Sequence, residues 1–191
     1  VNTDLVTTIP TSYQDLVSLA TSLTTPESFG FLFDIENFYF AYAWIHSHGG
    51  YVFGRSAGVL DPTDIGLAND GAIQGAKALK ALRFVDGLIP AGMDFDTAER
   101  LFAEGSAAMI YTGPWDMQRF LAAGRNVAVV PMPPLADGTP WSGFMSVQGV
   151  LVNQFSTDKR DAANLAKWLT RKDALVALAE TAARTPASLS A

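Results

Sequence analysis

The sequence predicts an α/β domain, and three observations carry that reading. Short, almost wholly apolar runs recur at residues 28–33, 107–111 and 127–130. Longer stretches with apolar residues at helical spacing lie between them, clearest over residues 72–85. Gly, Pro, Asn and Asp mark the junctions. Runs that are apolar on both faces and alternate with helices belong to sheets covered by helices.

Along the chain, Thr11 caps a first helix and Gln14 reaches back to close a capping box, with Leu16, Leu19, Ala20 and Leu23 on one stripe. Thr24, Thr25 and Pro26 end it. Residues 28–33 read as a buried strand broken by Asp34 through Asn37. Phe38 to Trp44 enter a helix stopped by Gly49-Gly50, and residues 51–54 read as a short strand before a polar turn. Asp61-Pro62 marks a further turn. Asn69 or Asp70 caps the helix of Ala72, Ile73, Ala76, Leu79, Leu82 and Val85. Asp94 or Asp96 caps another, ended by Gly105. A strand at 107–111 leads into Gly113-Pro114, where Pro starts a helix running to Gly124. A strand at 127–130 ends in Pro131, Pro133 and Pro134. After a Gly/Pro-rich connection over 136–143, residues 149–152 read as a fourth strand. Ser156 or Thr157 caps a helix through Trp168-Leu169, a second covers about 172–181, and residues 185–191 read as a tail.

Composition narrows the function. The chain has 191 residues, room for one large domain or two small ones, and 49% of them are hydrophobic, ample for a core. No apolar run approaches the ~20 residues that cross a bilayer, so no membrane insertion is expected. Thirteen Lys and Arg stand against nineteen Asp and Glu, for a net charge of -6 and no basic run, which argues against nucleic acid. Without cysteine there is no disulfide, thiolate metal site or Cys nucleophile. No signal peptide is visible, and Val1 in place of Met reads as a processed or excised piece.

Catalytic signatures are absent from the sequence: no G-x-S-x-G, P-loop, G-x-G-x-x-G or H-E-x-x-H. His46 and His48 are the only histidines; two apart, they face different sides of a helix and read as surface or capping groups rather than metal ligands. No cofactor is expected. Asp61 and Asp64 read as solvated turn carboxylates. Glu36 and Asp116 could form a hydrolase-like carboxylate pair. Aromatics say more. Phe40 and Trp44 read as core, whereas Trp115 follows Gly-Pro at a helix start just past a strand end. A sugar offers an apolar ring face and a polar rim. Tyr39 and Trp115, with Glu36, Asn37 and Asp116 near them in sequence, supply rings and hydrogen-bonding groups for both.

These residues sit in recognisable company. Residues 101–115, from Leu101-Phe102 through Glu104-Gly105 and Ala108-Met109 to Gly113-Pro114-Trp115, resemble the signature of bacterial sugar-binding proteins of ABC importers. Residues 33–40, running on to Gly49-Gly50-Tyr51, resemble the maltose/maltodextrin-binding branch, as do Asn2-Thr3-Asp4-Leu5 and the Thr-Ser-Tyr helix start after Pro10. The resemblance implies a periplasmic-binding-protein-like lobe, with a mixed, mostly parallel sheet flanked by helices on both faces. By that reading residues 1–135 are the C-terminal, ligand-binding lobe of a two-lobed clamp. Residues 136–191 are then a hinge-crossing connection plus a strand and helices that in the family belong largely to the other lobe.

The resemblance also assigns residues. Trp115 matches the stacking tryptophan and Tyr39 a sugar-stacking tyrosine, while Asn37 falls where the branch has a hydrogen-bonding glutamate. Glu36 stands one residue earlier, and Phe38 where proline is common. It implies a non-enzymatic binding protein for maltose, a maltooligosaccharide or a similar neutral sugar. It further implies an extracytoplasmic location, periplasmic or anchored at the cell surface, and an ABC permease as partner of the full-length protein. A glycan-processing enzyme using Glu36 and Asp116, or an excised module without affinity, are the other readings. No Lys or Arg lies in the loops around Glu36, Asp34 and Asp116, so an anionic ligand is expected to meet uncompensated repulsion. Val150, Leu151, Val152, Leu165, Trp168 and Leu169 lack their family partners in this stretch, which predicts self-association.

Overall fold

In the computed structural model, which describes residues 1–182 and 185–187, Ser12 rather than Thr11 opens the first helix. Its side chain accepts from the Asp15 backbone N–H at 3.1 Å, and α1 covers Tyr13–Leu23. The predicted capping box is thus shifted by one residue: Asp15, not Gln14, answers the cap, and its carboxylate accepts from the Thr11 hydroxyl at 3.2 Å. Strand β1 (Phe29–Leu32) leads to α2 (Phe38–Ser47). A hairpin comes next, β2 (Gly54–Ser56) against β3 (Val59–Asp61), turning at Ala57 and Gly58, both with positive φ. The strand predicted from residue 51 begins at Gly54; Tyr51 makes only an isolated bridge with Gly66. Asn69 caps α3 (Asp70–Phe84), Asp94 caps α4 (Phe95–Glu104), and Gly105 closes α4 in the left-handed conformation. Strand β4 (Ala107–Ile110) is succeeded by a 3-10 turn over Pro114–Asp116 and by α5 (Met117–Ala122). Asp158, rather than Ser156 or Thr157, caps α6 (Lys159–Leu169), and α7 covers Lys172–Ala182. Most of the predicted tail lies outside the described residues.

Strands β1 and β4 pair in parallel, with Phe29 opposite Ala107, Phe31 opposite Met109 and Leu32 opposite Ile110. Asn2 extends the pair on its far side: its N–H donates to the Ala108 carbonyl at 2.9 Å, and it forms an antiparallel bridge with Val127. This is the mixed, parallel-centred sheet of an α/β lobe. Helix α1 packs on both strands, α4 on β4, and α2 on α3. Gly30 permits the first of these contacts, because a Cβ there would run into the Ala20 backbone of α1.

Two predicted strands form no ladder. Of residues 127–130, Val127 bridges Asn2 and Ala128 exchanges backbone hydrogen bonds with Val1, and the prolines at 131, 133 and 134 remove backbone donors from the segment beyond. Residues 149–152 pair with nothing among the described residues, and Leu151 is 92% exposed. An apolar run becomes a strand only where a second strand offers its own N–H and C=O groups.

By packing, the chain divides into two units. The first comprises Val1–Thr112 with Phe120–Phe144, and the second Gly113–Arg119 with the described residues from Met145 onward. The first holds the core. Trp44 is fully buried and lies flat on Phe33, with ring centroids 4.4 Å apart and planes 5° from parallel. It meets Tyr111 and Trp141 edge-on and donates its indole N–H to the Tyr13 hydroxyl at 3.0 Å. Burial of that hydroxyl pushes its pKa up to about 12. Trp141, loop-like in sequence, donates to the Pro133 carbonyl and belongs to this cluster. In the second unit α6 and α7 pack on each other, and neither has a buried residue.

Candidate functional site

Beyond β1 the buried Phe33 gives way to a tight polar turn. The Asp34 carboxylate accepts from the backbone N–H groups of Glu36 (3.2 Å) and Asn37 (3.1 Å), which fixes the loop. Asn37 caps α2, its side-chain oxygen accepting from the Tyr39 N–H at 3.0 Å. The amide NH2 is therefore the part of Asn37 left to meet a ligand hydroxyl, as a donor. Glu36 is exposed, and its Oε1 accepts from Arg83 Nη1 at 2.8 Å.

That ion pair corrects an expectation. The loops themselves carry no cation, but α3 brings one to Glu36, whose negative charge is compensated. Distance along the chain hid it, since the partners stand 47 positions apart.

The first turn of α2 turns aromatic faces outward. Tyr39 is half-buried and Phe38 exposed, while Phe40 and Trp44 point into the core. Phe144 joins them: it stacks on Tyr42 at 4.0 Å and 14°, and lies near Tyr39 at 6.0 Å and 27°. Sequence reasoning missed Phe144, which sits in no periodic element and carries no motif. Together these rings form a partly exposed apolar platform beside the hydrogen-bonding turn, the pairing of surfaces that a sugar requires.

The 3-10 turn of the second unit carries the other two candidates. Trp115 is half-buried, with its ring folded back over Gly113. A Cβ at position 113 would strike that ring, so the Gly-Pro-Trp order fixes where the indole lies. Asp116 is buried, at 6% exposure, so little of it is open to solvent.

His46 and His48 occupy the capping roles expected of them. Nδ1 of His46 lies 2.9 Å from the Gly50 carbonyl and Nδ1 of His48 lies 2.7 Å from the Trp44 carbonyl, both near the end of α2. Asp61 holds its turn through the Thr63 N–H and hydroxyl, bonds that pull its carboxyl below the usual range.

Comparison with known proteins shows the family of the chain. The profile of the family described as bacterial extracellular solute-binding protein matches residues 1–191, and the chain belongs to that family. A galactooligosaccharide-binding protein of Bacillus subtilis is 34% identical over 178 residues, covering 90% of this chain and 42% of the relative. A maltooligosaccharide ABC transporter solute-binding lipoprotein of Streptococcus pneumoniae is 34% identical over 151 residues, covering 75% of this chain and 35% of that one. Among solved structures, the maltotriose-binding protein of Thermus thermophilus bound with maltotriose superposes with a TM-score of 0.90 at 34% identity. That match covers 97% of this chain and 50% of the solved one. The chain thus spans half the length of its relatives or less.

Proposed function

We propose that this chain is part of the carbohydrate-binding component of an ABC importer, taking maltose, a maltooligosaccharide or a similar neutral sugar. The observation that carries the reading is the 34% identity and 0.90 TM-score to a maltotriose-bound protein, over nearly the whole chain. In this reading Tyr39 and Trp115 are the stacking rings, Glu36 an acceptor, Asn37 a donor and Asp116 a further ligand contact. Residues 1–135 form the ligand-binding lobe, and residues 136–191 the connection and the elements that continue toward the other lobe. The complete protein works outside the cytoplasm, in the periplasm or anchored at the cell surface, and hands its sugar to a permease. Its relatives are named as binding proteins and one as a transporter lipoprotein, which favours binding over hydrolysis by Glu36 and Asp116.

A second ligand class has a specific observation behind it: the Bacillus relative at 34% identity is named for galactooligosaccharides. Calorimetry of the complete gene product with maltotriose, a galactooligosaccharide, a sugar phosphate and a uronate tests both. Neutral oligosaccharides are expected to bind more tightly than either anion, because Arg83 is already committed to Glu36 and Asp34 lies in the same turn. Tighter binding of the phosphate or the uronate, or product released from maltooligosaccharides, overturns the reading.

Residues 1–191 alone are expected to self-associate. Leu151 is 92%, Phe155 82% and Trp168 51% exposed, and burying such area gains ~25 cal/mol per Å². Light scattering at rising concentration should report a mass above 20.4 kDa. A strict monomer refutes this.

A further inference from the structure

Arg83 and Glu36 are unequally covered: the arginine side chain is 17% exposed and the glutamate 63%. The guanidinium lies beneath the carboxylate, donating from Nη1 to Oε1 at 2.8 Å and from Nη2 to the Pro90 carbonyl at 3.4 Å. Its Nε is buried without a hydrogen-bond partner among the described residues. A solvated surface pair has no reason to bury a donor unpaired, which is unfavourable. Here the penalty is accepted at the loop that carries the predicted ligand contacts. Glu36 Oε2 takes no hydrogen bond from any described residue.

We propose that Arg83 is the positioning residue of this site: it holds Glu36 by one oxygen so that the other faces a hydroxyl of an uncharged sugar, and it cancels the carboxylate's charge. The assignment rests on the sugar-binding reading above. A hydroxyl donating to a fixed carboxylate makes a charge-assisted bond, and a carboxylate free to rotate loses part of that advantage to entropy.

The test is a double-mutant cycle in the complete gene product, with maltotriose and a galactooligosaccharide as probes, read by calorimetry alongside thermal melts. Arg83→Gln and Glu36→Gln are each expected to weaken binding by about three- to tenfold, the range of one partly solvated charge-assisted contact. The double variant should bind no more weakly than Glu36→Gln alone, and Arg83→Lys should recover part of the loss. A lowered melting temperature with Kd within twofold of wild type makes Arg83 merely structural and overturns the proposal, as do single effects that multiply in the double. Where Arg83→Gln does not fold, the same cycle with Arg83→Lys decides. A wild-type protein that binds neither probe instead overturns the sugar-binding reading, and this assignment falls with it.

Discussion

Trp44→Ala is expected to destabilise the first unit by about 3–5 kcal/mol, the range for removing a fully enclosed large aromatic. The site cannot collapse easily. Phe33 lies flat on one face of the indole, Tyr111 and Trp141 press on it edge-on, and the Tyr13 hydroxyl accepts from its N–H. Alanine leaves a cavity ringed by aromatics that are themselves fixed, and strands the Tyr13 hydroxyl in an apolar setting. Chemical denaturation followed by tyrosine and tryptophan fluorescence measures the loss. A change under about 1 kcal/mol would mean that the neighbouring rings close the gap, and that the cluster is less rigid than its geometry implies.

Trp115→Ala carries the largest expected effect on binding. In the complete gene product it should weaken affinity for maltotriose by about 1–3 kcal/mol, or roughly five- to 150-fold, on the scale of a lost stacking partner at a binding hot spot. The indole is half-buried, with its ring folded over Gly113. Calorimetry together with a melting curve separates the two roles of such a ring. If the melting temperature falls while the affinity of the folded protein stays put, Trp115 is a packing residue and leaves the ligand site.

The features legible in the sequence were local. Asn69 and Asp94 open their helices, each one of two caps the sequence offers, and Gly105 closes α4 as expected, because a cap is decided within four residues of backbone. The misses are small: Ser12 caps in place of Thr11, and Asp158 in place of Ser156 or Thr157, near neighbours with the same capping chemistry. Strands were harder. Residues 107–110 pair because β1 is there to receive them, whereas the similar apolar run at 149–152 finds no partner among the described residues and stays unpaired. At the candidate site, Glu36, Asn37 and Tyr39 stood out through composition and resemblance. Arg83 and Phe144 could not, because each reaches the turn from an element with no sequence relation to it. Burial of Asp116 was equally invisible, since polarity in a loop says nothing about what covers it.

The pairing of β1 with β4 also dictates the order of events during synthesis. Phe29 must wait for Ala107, and the backbone N–H of Thr3 for the carbonyl of Asn126. Closing loops of this length is entropically slow, and contact order of this kind lowers folding rates. On the ribosome, α1 and α2 emerge carrying Leu16, Ala20, Phe40 and Trp44 with no sheet yet to cover them. The β1–β4 pairing therefore forms only after residues 107–110 have been made. Until then the aromatic residues of the first unit are exposed, which makes the nascent chain a natural client for chaperones.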